Sequence, residues 1–246
     1  MRSAPSITRL LGLVLAAVLA VAGLVAASAP TAQAADPLAG APAVGTCHDV
    51  GIKQAMKDSL AAAPVACSAD HTLLTTGVVQ VTTEGDLAGP KIYREASAAC
   101  REYDERWIGS NVLRRALTLY HGFVFIPNSA QQQAGARWVS CHLAVWDTKG
   151  LNDLPETLPK LSKKPAVSVA RCGTRTTYVT CAERHTYRAT VAAFVKAKGK
   201  DRAVIKTMRD RGPKVCSRRA GGAGRFTYWR YTPTKVVLVC LKKTRR

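Results

Sequence analysis

Val65-Ala-Cys67-Ser-Ala-Asp-His71-Thr-Leu-Leu-Thr-Thr-Gly-Val-Val-Gln-Val81 returns 114 residues later as Val179-Thr-Cys181-Ala-Glu-Arg-His185-Thr-Tyr-Arg-Ala-Thr-Val-Ala-Ala-Phe-Val195. In both stretches a cysteine is followed by three residues, then His-Thr, then a β-branched and apolar run that predicts a buried strand. Each copy continues into a helical pattern holding a third cysteine and ends in a strand holding a fourth. The eight cysteines therefore fall into two sets, Cys47, Cys67, Cys100, Cys141 and Cys172, Cys181, Cys216, Cys240, with second-to-third spacings of 33 and 35 residues. Such agreement marks an internal repeat.

The chain opens as an export signal. Arg2 and Arg9 lead into the apolar run from Leu10 to Ala27, and Ala32 and Ala34 form a small-x-small cleavage site, so a signal peptide over 1–34 is expected. The alternative is an uncleaved membrane anchor, because the run approaches the ~20 residues that span a bilayer. Both readings place the bulk of the chain outside the cytoplasm, as a secreted or envelope-associated protein. Four cysteines per copy in an exported chain then predict two disulfides per copy.

Charge is divided unevenly. Residues 47–150 hold ten basic and ten acidic side chains, whereas 151–246 hold 24 basic and five acidic, accounting for nearly all of the formal +20. Such a field on one half favours anionic polymers, in a salt-sensitive way. Lys196, Lys198, Lys200, Arg209, Arg211, Lys214, Arg218, Arg219, Arg225, Arg230, Lys242, Lys243, Arg245 and Arg246 are the candidate polyanion contacts.

Read in order, 35–45 is a flexible spacer, 46–148 a first domain, 149–166 a proline-rich linker and 167–246 a second, strongly basic domain. The expected class is α+β, two tandem small disulfide-stabilised domains, each a short mixed or antiparallel sheet with one main helix. Ile92, Ala96, Ala99, Cys100, Tyr103 and Trp107 share one face of the clearest helix. In the second copy a helix starts at Asp201 and is expected to stop at Arg211, before Gly212-Pro213. The stretch Arg225-Phe-Thr-Tyr-Trp-Arg-Tyr231 interleaves aromatics with arginine. It reads either as a stacking surface for bases or sugars or, more simply, as a core strand with alternate residues buried.

Chemical readings of the same residues are available. Cys-x-x-x-His suits zinc or a thiol nucleophile with His71 or His185 as base, but oxidised cysteines serve neither, and the simpler role is a histidine bracing the strand. Ser140-Cys141-His142 and His48-Asp49 occur once each, and no nucleophile-elbow sequence is present. Asp104, Glu105 and Asp147 offer carboxylates, with adjacency on a charged helix reading as a solvated face. No catalytic residue, metal site or cofactor is expected from this.

Cys67 with His71, Ala96 with Cys100, Phe125-Ile-Pro127 and Trp138-Val-Ser-Cys141 together resemble the septum formation domain family of exported Gram-positive proteins. The resemblance spans about 46–147, with a more divergent second copy over 167–241. The family often carries an acidic residue three places after the histidine, where this chain has Leu74 and Arg188. What the resemblance implies is an envelope location and a link to the division septum, not a reaction. The expected pairs are Cys47–Cys67, Cys100–Cys141, Cys172–Cys181 and Cys216–Cys240, one of three pairings open to each set of four. The functional expectation is a non-enzymatic envelope binding or scaffold protein, its basic half on anionic wall polymers or phospholipid headgroups and its neutral half open to a division or envelope protein. Export disfavours nucleic acid as a target. The competing class is an envelope hydrolase or a thiol or zinc enzyme built on the Cys-x-x-x-His motifs.

Overall fold

The motif forms the turn that feeds a strand rather than lying in one. His71 and His185 each point Nδ1 at the carbonyl two residues back, 2.8 Å from Ala69 O and 2.7 Å from Glu183 O. Both rings are buried, so the bond fixes a tight turn ahead of the apolar run. The computed structural model describes residues 36–221 and 224–244; the expected signal peptide, Arg245 and Arg246 lie outside them.

In the first half, β1 (Cys47–His48) is followed by a short helix α1 (Ile52–Ala55), β2 (Leu73–Gln80), the main helix α2 (Pro90–Ile108) and a single turn α3 (Val112–Arg115). Then come β3 (Tyr120–Phe125), α4 (Ser129–Gln133), β4 (Trp138–Trp146) and β5 (Leu151–Asn152). The second half has β6 (Arg171–Gly173), β7 (Tyr178–Thr180), β8 (Tyr187–Lys196), the helix α5 (Asp201–Ala220), β9 (Arg225–Thr232) and β10 (Lys235–Lys243). The first sheet has the order β1-β2-β4-β3 with β5 beside β4, and the second β7-β6-β8-β10-β9. A bridge from Cys47 to Val65 in the first half stands where β6 meets β7 in the second. The class is mixed α+β with two antiparallel sheets and few helices.

Four disulfides join Cys47 to Cys67, Cys100 to Cys141, Cys172 to Cys181 and Cys216 to Cys240. In each half one bond closes the motif turn and the other ties the main helix to the last strand. The helices bury every fourth residue: Ile92, Ala96, Cys100, Asp104 and Ile108 on α2, and Val204, Met208, Gly212 and Cys216 on α5. This narrow stripe lies along one ridge of the helix, which suits packing on a twisted sheet.

Several expectations are corrected. Helix α5 does not stop at Arg211 but continues through Pro213 to Ala220. Proline removes one helical hydrogen bond and clashes with the preceding turn; here Met208, Gly212 and Cys216 are buried on either side of it, and the Cys216–Cys240 bond holds the last turn on β10. Gly212 permits the contact, since a Cβ there would lie 2.9 Å from the Phe226 ring. The helix ends at Gly221, whose φ of 65° supplies the left-handed cap. Strand β9 is not a core strand: it lies at the sheet edge and none of its residues is fully buried.

The two segments expected to be loose are docked. In the lead, Pro37 O accepts from Arg137 N at 2.8 Å and Ala39 O accepts from Trp138 Nε1 at 3.0 Å. Between the halves, Leu154, Leu158 and Leu161 are buried beside Ile108, Leu119 and Val169, and Pro159 O accepts from the Tyr120 hydroxyl at 3.0 Å. Composition concealed this because three leucines among prolines show no helix or strand period. Helix turn α3 brings Val112, Leu113, Ala116 and Leu117 against Ala189, Val237, Val239 and Leu241, on the face of the second sheet away from α5. Backbone bonds Leu119 N to Val169 O (2.9 Å) and Arg171 N to Leu117 O (2.8 Å) seal the junction.

Candidate functional site

Every described cysteine is in a disulfide, so neither Cys67 nor Cys181 presents a thiolate beside its histidine. Four disulfides mark an extracellular or secreted protein. No helix among the described residues is long and apolar enough to cross a membrane.

Ser140 and His142 do meet, with Oγ 2.9 Å from Nε2, but both are fully buried. The chain of contacts continues from His142 Nδ1 to Thr75 Oγ1 (3.3 Å), to Thr46 Oγ1 (3.0 Å) and to His48 Nε2 (3.3 Å). His48 Nδ1 ends it on Ala62 O at 3.1 Å. Burial drops the His142 pKa to about 3, helped by His48, and lowers that of His48 too. A neutral imidazole in this setting braces β1, β2 and β4 across the sheet.

Asp104 corrects another expectation, because it is buried rather than on a solvated helix face. Its carboxylate accepts from Arg115 Nη2 at 2.9 Å and from Thr76 Oγ1 at 2.9 Å. Burial raises its pKa, and Arg115 and Thr76 oppose that rise. Asp147 instead ties a turn, its Oδ1 accepting from Lys149 N at 2.7 Å and Gly150 N at 3.2 Å.

The fold gathers part of the dispersed basic set into one groove. Lys196 at the end of β8 and Arg211, Lys214, Arg218 and Arg219 on α5 line a concavity of about 510 Å³ together with Phe194, Val195 and Val215. None of its lining residues is acidic. Helical spacing explains the collection, since 211, 214, 215 and 218 recur at three and four residues and so share a face. Along the same side β8 pairs with β6 only at Tyr187 and Arg188, so from Ala189 onward its sole strand neighbour among the described residues is β10. The groove thus runs beside an open strand edge.

Other candidates lie elsewhere. Lys198 and Lys200 are exposed in the turn before α5, Arg209 is exposed on α5, and Lys242 and Lys243 are exposed at the end of β10. Arg225 turns inward to Thr174 O and the Tyr187 ring, and Arg230 pairs with Asp201 at 3.2 Å, so these two are committed within the fold.

A second concavity, of about 700 Å³, was not foreseen as a site. It is lined by α2, α3 and β3 from the first half and by Arg171 and β9 from the second. Arg171 donates from Nε to Ala116 O at 3.2 Å and from Nη2 to Thr118 O at 2.9 Å. Its guanidinium carbon lies 5.5 Å from the Tyr178 ring centre and 5.7 Å from that of Trp229. Loss of water around it lowers its pKa. The signal available in the sequence was one arginine within the apolar run Val167-Ser-Val-Ala-Arg-Cys172.

No protein-family model, curated protein or solved structure matches this chain.

Proposed function

We propose that this chain is a non-enzymatic extracytoplasmic binding protein, built from two tandem copies of one α+β unit, that attaches to phosphate-bearing polymers or headgroups of the cell envelope. The observation that carries this reading is the acid-free basic groove between β8 and α5, which concentrates five cations drawn from 24 residues of sequence. Cations held on a helix face and a strand end present a fixed row to a repeating anion, and their field focuses in a concavity. The second half supplies attachment, and the neutral first half remains available for a protein partner. The septum-formation resemblance suggests the division site as the place to look for that partner.

The test is co-sedimentation of the full mature chain with purified wall polymer and, separately, with phospholipid vesicles of anionic or zwitterionic composition. Binding that falls steeply with salt, and that an Arg211→Glu/Lys214→Glu variant loses, supports the reading; the preferred arm names the source of phosphate. Salt-independent binding, or none to either anionic arm, refutes it.

A further inference from the structure

The cleft between the halves is chemically unlike the groove. Two of its arginines are paired: Arg115 with Asp104 at 2.9 Å, and Arg230 with Asp201 at 3.2 Å. Arg101, exposed on α2, and Arg171 have no such partner among the described residues, and Arg171 is the one drawn in from solvent. Carbonyl oxygens satisfy only part of its five-donor guanidinium. A cation removed from water without a counter-charge is costly unless a partner arrives. The position also breaks the repeat, because counting from the first cysteine of each half, Arg171 stands where the first half has Thr46.

Beside this cation β9 offers a ring surface. Trp229 and Tyr231 of the edge strand both line the cleft, and they are 38% and 42% exposed. The cleft volume of about 700 Å³ lies within the ordinary range for small-molecule sites. Asp104 and Glu105 offset two of the four arginines that line the cleft, which suits a ligand with few negative charges.

We propose that this cleft is a binding site for a small ring compound bearing one carboxylate or phosphate, the anion on Arg171 and the ring against Trp229 and Tyr231. The guanidinium matches either oxyanion through paired hydrogen bonds. An aromatic face accepts an apolar ring face edge-on or offset. The site shares no lining residue with the basic groove, although the Tyr231 ring of the cleft lies 5.2 Å from the Phe194 ring of the groove.

The test uses the full mature chain and the tryptophan indole N–H signals in solution NMR. The four tryptophans give four signals, that of Trp229 being identified by its loss in Trp229→Phe. The probes are glucuronate, glucose 1-phosphate, benzoate and neutral glucose. At least one anionic probe is expected to shift the Trp229 signal saturably while glucose does not, the responding probe distinguishing carboxylate from phosphate and sugar from aromatic ring. Arg171→Gln is expected to weaken binding about tenfold or more. Because Arg171 also holds the junction, Trp229→Ala at the exposed edge serves as the second variant, with a similar loss expected, and Lys214→Glu in the groove should leave affinity unchanged. No saturable shift with any anionic probe, an equal response to glucose, or unchanged affinity in Trp229→Ala would overturn the proposal.

Discussion

The two sheets share a strand order and a disulfide pattern but fill their interiors with opposite chemistry. Aligned on their cysteines, Thr46, His48, Thr75, Ser140 and His142 of the first half correspond to Arg171, Gly173, Ala189, Val239 and Leu241 of the second. The first half threads a hydrogen-bonded chain through buried positions, whereas the second buries apolar side chains at three of the five. Asp104, paired with Arg115, likewise aligns with Ala220. The fold is therefore specified by helix-to-strand disulfides, the motif turn and the spacing of buried positions. The polarity of several buried positions is open, and each half has used that freedom differently. The first half keeps a connected polar network inside, while the second places most of its charge outside.

Removing the staples should produce the largest effect. Loop-closure entropy assigns about 4 kcal/mol to Cys100–Cys141, which spans 41 residues, and about 2.6 kcal/mol to Cys172–Cys181, which spans nine. Paired Cys→Ser variants compared by denaturant midpoint should rank in that order; a reversed rank would mean that native contacts, not chain entropy, set the cost.

Acid comes next. His142 in the folded chain has a pKa of about 3, well below the 6.5 of an unfolded histidine. The unfolded state therefore takes up the proton first, and stability present above pH 6.5 is lost as pH falls from there toward 3. The loss approaches about 1.4 kcal/mol per pH unit well below pH 6.5, and His48 acts in the same direction. Rewriting the network with the second half's residues, Thr75→Ala/Ser140→Val/His142→Leu, should flatten the profile of melting temperature between pH 7 and 4. An undiminished acid slope would locate the sensitivity outside the network.

A smaller effect is expected at the ion pair. Arg115→Met strands the buried Asp104 carboxylate and should cost about 2 kcal/mol, below the 3–5 of a fully buried pair because the Arg115 side chain is 24% exposed. Asp104→Ala/Arg115→Met, which imitates the second half, should recover part of that loss in chemical denaturation. Gly212→Ala is the mildest change. Crowding against Phe226 at 2.9 Å and the better helix propensity of alanine oppose each other, leaving a net cost of about 1 kcal/mol; a stabilised variant would show that the ring shifts freely.

The recurring cysteine and histidine spacing made much of this legible in advance. Cysteine order and the 3.6-residue period located α2 and the strands that carry the fourth cysteines, since both signals are local. What failed was context. Pro213 reads as a stop because local propensity carries no information about a disulfide three residues later. Asp104 reads as solvated because its partners, Thr76 and Arg115, come from separate elements. The basic groove was visible only as scattered charge, since the turn between β8 and α5 brings Lys196 beside Arg211. Arg171 and Trp229 are 58 residues apart in sequence, and the sequence pattern does not predict that they meet.

If the groove rather than net charge binds polyanions, the position of a charge matters more than the number of charges. The most direct measurement compares two double charge reversals that change the formal charge equally, Arg211→Glu/Lys214→Glu in the groove and Lys242→Glu/Lys243→Glu at the end of β10, by their affinity for purified anionic wall polymer at two salt concentrations. The groove variant is expected to lose most of the binding and of its salt dependence while the β10 variant loses little. Equal losses in the two variants would contradict it, leaving only a diffuse positive field.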